Sequence, residues 1–567
     1  LQAYSNKLKL FRNATDPIDH FQVASELMKS SPPFLVPAIV EALLSQEDFK
    51  SVTFVVPGEA EAFCIAAAKS LSIGRRTIAI FSDDSDLLVY HLSELCLIVP
   101  LRDVEIQEDS GPRSLSGSCF SPAKIAAQFA SEHDTLLEAA FFIKLDHYRS
   151  VIDAFREAEK LRISKNEGLL KQLASFKQEY DVRNESHEWK AMQSNQSPYK
   201  SPCNGDARVS ELIHQVSHNR YKPSAGSGLD VFLPFLLEDG SRRTAWDVSR
   251  DIRVAAYSSF LAFVDKRDEC VRILEHTRSG SPSGIVATEI LLYPRTDALK
   301  DIGEFHDKLQ SRFKRCHKLT IYTLSSSSRV NTWHLVILQY LIDELSVAQK
   351  DLPSASDLLY ILSEMTASPN APNPATQSNK QREAYRTLWW KRFHLAAQHQ
   401  AIYYSFRILQ QLLKASLRLV ANAKPATTTS PHLDLAGQSQ RRAERLSSLL
   451  ETLPSILGFS TSPIASSASK GMKPSKAEWE RCLSELLSGF QGQQHDLQDQ
   501  PDLVSRNVPR ALNKAFEEEI KGSTPLVSAI GQGKQGSKRT NRRMSTNKTN
   551  KSAASKNPYD ALSMEED

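Results

Sequence analysis

Two acidic clusters, each directly after an apolar strand-like run, constrain this chain more than any other feature. The first is Val55-Val56-Pro57-Gly58-Glu59-Ala60-Glu61-Ala62, and the second is Ile78-Ala79-Ile80-Phe81-Ser82-Asp83-Asp84-Ser85-Asp86-Leu87-Leu88. Carboxylates gathered at strand ends repel one another unless something positive lies between them, and hard divalent cations with oxygen ligands do that. Glu59 and Glu61 sit two apart in the entry turn of a helix, where both can lean toward a sheet edge and the helix dipole favours the charged form. Asp84 and Asp86 sit two apart beyond a strand, where alternation can aim both the same way. Four such groups suit two divalent ions about 3.5–4 Å apart, the arrangement that clamps the attacking and leaving oxygens in phosphodiester hydrolysis. The plainer reading of each cluster is a helix cap or a solvated turn. Their joint occurrence, in order and each after a strand, favours the metal reading.

The surrounding pattern predicts an α/β domain with a mostly parallel sheet. Residues 33–107 alternate: a helix over Phe34–Leu44, a strand over Val52–Val56, a helix over Glu59–Leu71, a strand over Thr77–Phe81, then strands at Cys96–Pro100 and Val104–Ile106. Ligands in such sheets gather outside the carboxyl ends of the strands, where both clusters fall. Helices follow at Pro122–Glu132, Leu136–Lys144 and Val151–Lys160, the last extending past Gly168 toward Phe176. The polar stretch 180–228 reads as a linker. A mainly helical region is expected over 229–460, with a helix from Trp246 to Val264 and a hairpin of Val271–Leu274 with Ile285–Tyr293. Residues 461–567 read as short helices and a disordered basic tail.

Composition narrows the classes. The 567 residues suffice for two or more domains, and no apolar run approaches the roughly 20 residues that span a bilayer, so no membrane partner is expected. Seven scattered cysteines without a Cys-x-x-Cys pair argue against a zinc ribbon or a disulfide framework. The net charge is +4, yet eight Lys or Arg and no acidic residue lie between Lys534 and Lys556. Subtracting those eight leaves −4 for the remainder, so any nucleic-acid contact in the body comes from local patches. The tail 534–556, with Lys538-Arg539-Thr540-Asn541-Arg542-Arg543, points to a nuclear location, with the cytoplasm as the alternative. Leu1 opens the sequence in place of methionine, which suggests a fragment, a processed form or an incomplete gene model.

Weaker signals are present elsewhere. Tyr385 to His394, followed by Tyr403, Tyr404, Phe406 and Arg407, mixes aromatics with cations as single-strand binders do, but reads better as a core helix with a solvated rim. Glu211, His214 and His218 have zinc-like helical spacing without a fourth ligand, and read better as solvated; His306 reads as a surface residue. Lys7, Lys9 and Arg12 form a small basic face, and Tyr559–Leu562 a short apolar patch near the end.

At motif level the chain resembles the XPG/flap-endonuclease nucleases of the PIN-like superfamily, and within them the asteroid branch in its fungal form. The resemblance rests on Pro57–Ala62 and Asp83–Leu88, supported by Phe34-Leu35-Val36-Pro37-Ala38, Ala140–Asp146, Phe232–Asp239 and Ala245–Arg253. It implies that Glu59, Glu61, Asp84 and Asp86 are catalytic metal-site carboxylates holding Mg²⁺ or Mn²⁺, as two ions. Asp146 matches the later aspartate of the family, while Asp83 is a neighbour. The implied function is a structure-specific nuclease acting on single-stranded or branched DNA, with RNA as a second candidate. Three departures stand out: the family carries further metal-binding aspartates upstream of the equivalent of Leu1, Lys144 replaces a glycine, and no Gly-x-Gly duplex-gripping segment follows Asp146. They keep open a nuclease-derived scaffold that binds nucleic acid or protein without cutting, as RNA-regulatory relatives do.

Overall fold

Burial divides the first half of the chain between two small apolar cores and one large one. The computed structural model describes residues 34–498 except 57–58, 73–75, 108–113, 129–132, 164–165, 194–205, 218–228, 237, 240, 265–271, 279–284, 326–327, 349–351, 363–377, 423–431 and 461–473. Helix α1 (Leu35–Ser45) and the short α2 (Glu47–Lys50) precede α3 (Ala60–Leu71), which buries Ala62, Phe63, Ile65, Ala66 and Ala68 on one stripe. Strand β1 (Ile78–Phe81) pairs in parallel with β2 (Cys96–Val99), and a 3₁₀ turn over Ser85–Val89 joins them. Strands β3 (Glu105–Gln107) and β4 (Ser114–Ser116) form a separate antiparallel pair. The first small core gathers Ala62, Ile65, Ile80, Leu87, Tyr90, Cys96, Ile98 and Val182.

Helices α4 (Pro122–Gln128), α5 (His133–Leu145), α6 (Val151–Ile163) and α7 (Glu167–Glu179) follow. The last two are separate helices, because the Asn166 side chain accepts from Leu169 N–H and caps α7 afresh. Phe141, Phe142, Phe155, Leu161, Leu173 and Phe176 make the second small core. Tyr180 packs against both.

Several expectations change here. Val52–Val56 does not form a strand: 51–52 turn and 53–56 run without a ladder partner among the described residues. An apolar run needs a neighbour to become sheet, and periodicity alone does not supply one. The sheets among the described residues are accordingly small, and in this first region the α/β character rests on the parallel β1–β2 pair rather than a broad parallel sheet. The stretch 180–228, expected as a linker, carries α8 (Arg183–Gln193), with Trp189 buried, and α9 (Ala207–Ser217). On α9, Val209, Leu212, Ile213 and His214 are buried, so His214 is a core histidine rather than a solvated one. His306, expected at the surface, is also buried. His218, the basic face Lys7–Arg12 and the tail 534–556 lie outside the described residues.

The large core is built around strand β5 (Leu229–Phe232), helix α10 (Arg250–Val264) and strands β6 (Arg272–Arg278) and β7 (Ile285–Leu291). β5 runs parallel to β6, and β6 and β7 form the expected antiparallel pair. Long helices follow: α11 (Arg295–Thr323), α12 (Arg329–Val347), α13 (Ala355–Leu362), α14 (Asn379–Asn422), α15 (His432–Leu450), α16 (Ile456–Ser460) and α17 (Lys476–Gln498). Residues up to Gln491 form one unit and Gly492–Asp567 a second, of which only 492–498 are described. Trp479, Cys482 and Leu483 of α17 are fully buried in the large core, so the helical region extends beyond residue 460. Phe393, Tyr403, Tyr404 and Phe406 are buried in it too, in line with the core reading of that aromatic run.

Helix α1 also belongs to the large core, not to the β1–β2 region. Phe34 takes a left-handed φ of 67° and stacks on Tyr404 at 4.6 Å. Glu41 pairs with Arg407 at 2.7 Å and accepts from Ile456 N–H at 2.7 Å. At the centre Arg253 donates to both Glu275 oxygens at 2.6 and 2.8 Å, to Trp246 O and to Ser249 Oγ, while Tyr257 donates to Glu275 at 2.9 Å. Removing one partner of such a buried pair leaves an uncompensated charge. Glu275→Ala is therefore expected to lower stability by roughly 3–5 kcal/mol, measured as a fall in the denaturation midpoint; a change below about 1 kcal/mol would contradict this account.

Candidate functional site

Helix α3 packs on β1; Glu59 and Glu61 stand at the start of α3, and Asp84 and Asp86 directly after β1. Glu59 is the extended residue before α3, exposed, with no cap bond from its side chain. Glu61 follows in the first turn, half-buried. Beyond β1, Ser82 N–H still donates to Val99 O at 3.0 Å, and the chain then turns. Asp84 Oδ1 accepts from Asp86 N–H at 2.9 Å and so caps the 3₁₀ turn, while Asp84 N–H donates to Ser82 Oγ at 3.1 Å. Asp83 faces away to the following loop, where its Oδ1 accepts from Arg102 N–H.

A pair of tyrosines brings these carboxylates into one field. Tyr90 and Tyr180 have ring centroids 5.1 Å apart, and Tyr180 donates its hydroxyl to Asp86 Oδ2 at 3.4 Å. Burial pushes the Tyr90 phenol up to about 12, with Glu61, Asp86, Glu185 and Asp84 adding to the rise in that order. Tyr180 is raised for the same reasons, burial first and Asp86 next. Three of the four predicted carboxylates therefore act on one phenol.

Glu185, on α8, is a member the sequence reading missed. It lies in the stretch taken for a linker, and its Oε2 is buried with no hydrogen-bond partner among the described residues. Tyr90 stands four residues after Asp86, which was the one local signal available for it. Tyr180 comes from the end of α7, far away in sequence.

Asp146 is placed apart. It ends α5, accepts from Tyr148 N–H at 3.1 Å and pairs with Arg149 at 3.8 Å. Lys144, which stands where a glycine was expected, pairs with Glu179 at 2.8 Å and lies 4.9 Å over the Phe176 ring.

Carboxylate oxygens are the hard donors that Mg²⁺ and Mn²⁺ take, so Glu61, Asp84, Asp86 and the unpartnered oxygen of Glu185 fit such an ion in kind. Among the described residues no three His, Cys, Asp or Glu side chains stand close enough to hold one as they are. The site is thus a shared negative field with exposed, rotatable donors, not a closed coordination shell.

Residues 31–290 match a family model described as XPG domain containing. This span is similar to XPG domains and supports placement in the XPG/PIN-like superfamily, a nuclease-related fold. No curated protein and no solved structure matches the chain.

Burial is the main cause of the raised Tyr90 pKa and Asp86 adds to it, so Asp86→Asn should lower that pKa in part, leaving it above the ordinary value near 10. Ultraviolet phenolate titration, with Tyr90→Phe subtracted, reads the shift. An unchanged midpoint would break the proposed field.

Proposed function

We propose that the span similar to XPG domains is a metal-dependent, structure-specific nuclease that hydrolyses phosphodiester bonds in single-stranded or branched DNA, with RNA as the second candidate. What supports this reading is the similarity of residues 31–290 to XPG domains, together with the placement of Glu61 in the first turn of α3 and of Asp84 and Asp86 directly after β1. Mutually repelling carboxylates gain from being gathered only when a cation is bound among them. Glu61, Asp84, Asp86 and Glu59, with Glu185 beside them, would hold Mg²⁺ or Mn²⁺. When bound, such ions supply a water acidified for attack and a positive charge for the leaving oxygen. The chain's own part is to fix Asp84 and Asp86. The cap bond from Asp86 N–H sets the turn, and Tyr180 holds an Asp86 oxygen by its hydroxyl. The neutral phenols of Tyr90 and Tyr180 add no further negative charge where a phosphate must approach.

A second reading has its own support. Asp146 is engaged by Arg149, and Lys144 by Glu179, and a binding scaffold without cleavage has no need of a preassembled site. A nuclear location through the tail 534–556 is part of the proposal for either function.

Cleavage of labelled single-stranded, flap, overhang and duplex substrates with Mg²⁺ or Mn²⁺ separates the two. Asp84→Ala is expected to lower the rate by more than about 100-fold, the scale of losing one charge-stabilising group. With the protein carrying its upstream residues, no cutting and nucleic-acid binding unaffected by Asp84→Ala would sink the catalytic reading and leave the binding scaffold.

A further inference from the structure

A cleft of about 200 Å³ opens beside the tyrosine pair, lined by Lys69, Tyr90, His91, Tyr180, Arg183 and Ser186, with Asp181 also in its wall. Tyr90 and Tyr180 thus belong both to the carboxylate group and to this cleft. We propose that the cleft seats the terminal, phosphate-bearing nucleotide of a nucleic-acid strand, with Lys69 on the phosphate and the tyrosine pair against the sugar or base. This inference rests on the nuclease reading of the neighbouring carboxylates.

The chemistry of the wall points to an anion. Lys69, in the last turn of α3, is half-buried and forms no ion pair among the described residues. Its counter-charge is Asp181, but the Arg183 guanidinium takes both oxygens of that carboxylate. Burial pulls the Lys69 ammonium down from its ordinary value, with Asp181 only partly opposing it. A phosphate brought against Lys69 would supply the missing negative charge. Arg183 keeps donors on an 87% exposed side chain and can add to it.

Lys69 lines the cleft on the α3 side and forms no ion pair among the described residues, so the terminal phosphate belongs at the Lys69 end. The Tyr90 hydroxyl, protonated at neutral pH, bonds no other described residue and remains a donor to a sugar or base edge. Aromatic faces take any base, at about 1–3 kcal/mol each by stacking. Size argues for a strand end: the cleft is smaller than the roughly 300 Å³ at which pockets for whole drug-sized ligands begin. It holds a phosphate and part of one nucleoside, not a continuous run. A terminal monoester also carries more charge than an internal diester, which suits an under-neutralised lysine.

Fluorescence anisotropy tests this with the full chain and one single-stranded oligonucleotide in three forms: 5′-phosphate, 3′-phosphate, and hydroxyl at both ends. Binding is measured with Ca²⁺ and again in EDTA. One phosphorylated form should bind roughly tenfold tighter than the hydroxyl form, about 1.4 kcal/mol, and which form it is gives the polarity of the seat. Lys69→Met keeps the apolar stem and should erase the preference while leaving hydroxyl-form binding and the thermal melt unchanged. Asp84→Asn should keep the preference whether or not the chain cuts, so failure of the nuclease reading shows separately, in the cleavage assay. Equal binding of all three forms, or a preference that survives Lys69→Met, would overturn the proposal.

Discussion

The buried guanidinium of Arg253 is the interaction on which the large core depends. It is 1% exposed, so its charge is stable there only if every donor is met. Glu275 from β6 meets two, and Trp246 O and the Ser249 and Ser405 hydroxyls meet a third nitrogen. These partners come from the three-stranded sheet, the 3₁₀ turn before α10, and the 44-residue helix α14. The network therefore sets where α14 lies against the sheet. Helix α14 then presents Tyr404 and Arg407 to Phe34 and Glu41, which places α1. The chain leaves α1 and α2 and runs through 51–56 to Glu59, so the entry to the acidic clusters starts from an anchor in the large core.

What was legible in the sequence was whatever is encoded locally. Helix α3 follows from its Ala-rich apolar stripe, β1 from a short buried run, and the β6–β7 pair from two apolar runs around a turn-forming stretch. The placement of Glu61 at the start of α3 and of Asp84 and Asp86 directly after β1 was legible too, because each follows from a local apolar pattern. Illegible features depended on partners distant in sequence. Nothing near Val52–Val56 shows that a ladder partner is absent among the described residues. Nothing near Leu35 shows that α1 packs on a helix some 370 residues later. The α8 stretch looks polar, yet its described side chains include the buried Trp189 and the unpartnered oxygen of Glu185.

The site's asymmetry bears on whether it cuts. Two cations that could have quenched the acidic clusters are turned elsewhere: Lys144 pairs with Glu179, and Arg149 with Asp146. Arg183 is occupied by Asp181, and Asp83, nearest in sequence to the pair, is tied to the following loop by Arg102 N–H. Glu61, Asp84 and Asp86 are left without a side-chain cation among the described residues. A scaffold free of selection for metal would relieve that repulsion at small cost by a single lysine, since exposed ion pairs form readily. Keeping the field unneutralised, with neutral phenols facing it and an under-compensated lysine just beyond, makes physical sense for a place where a divalent cation and a phosphate meet. Under the proposed nuclease reading Asp146, paired with Arg149, would support the α5 terminus, and the carboxylates around Tyr90 would hold the metal.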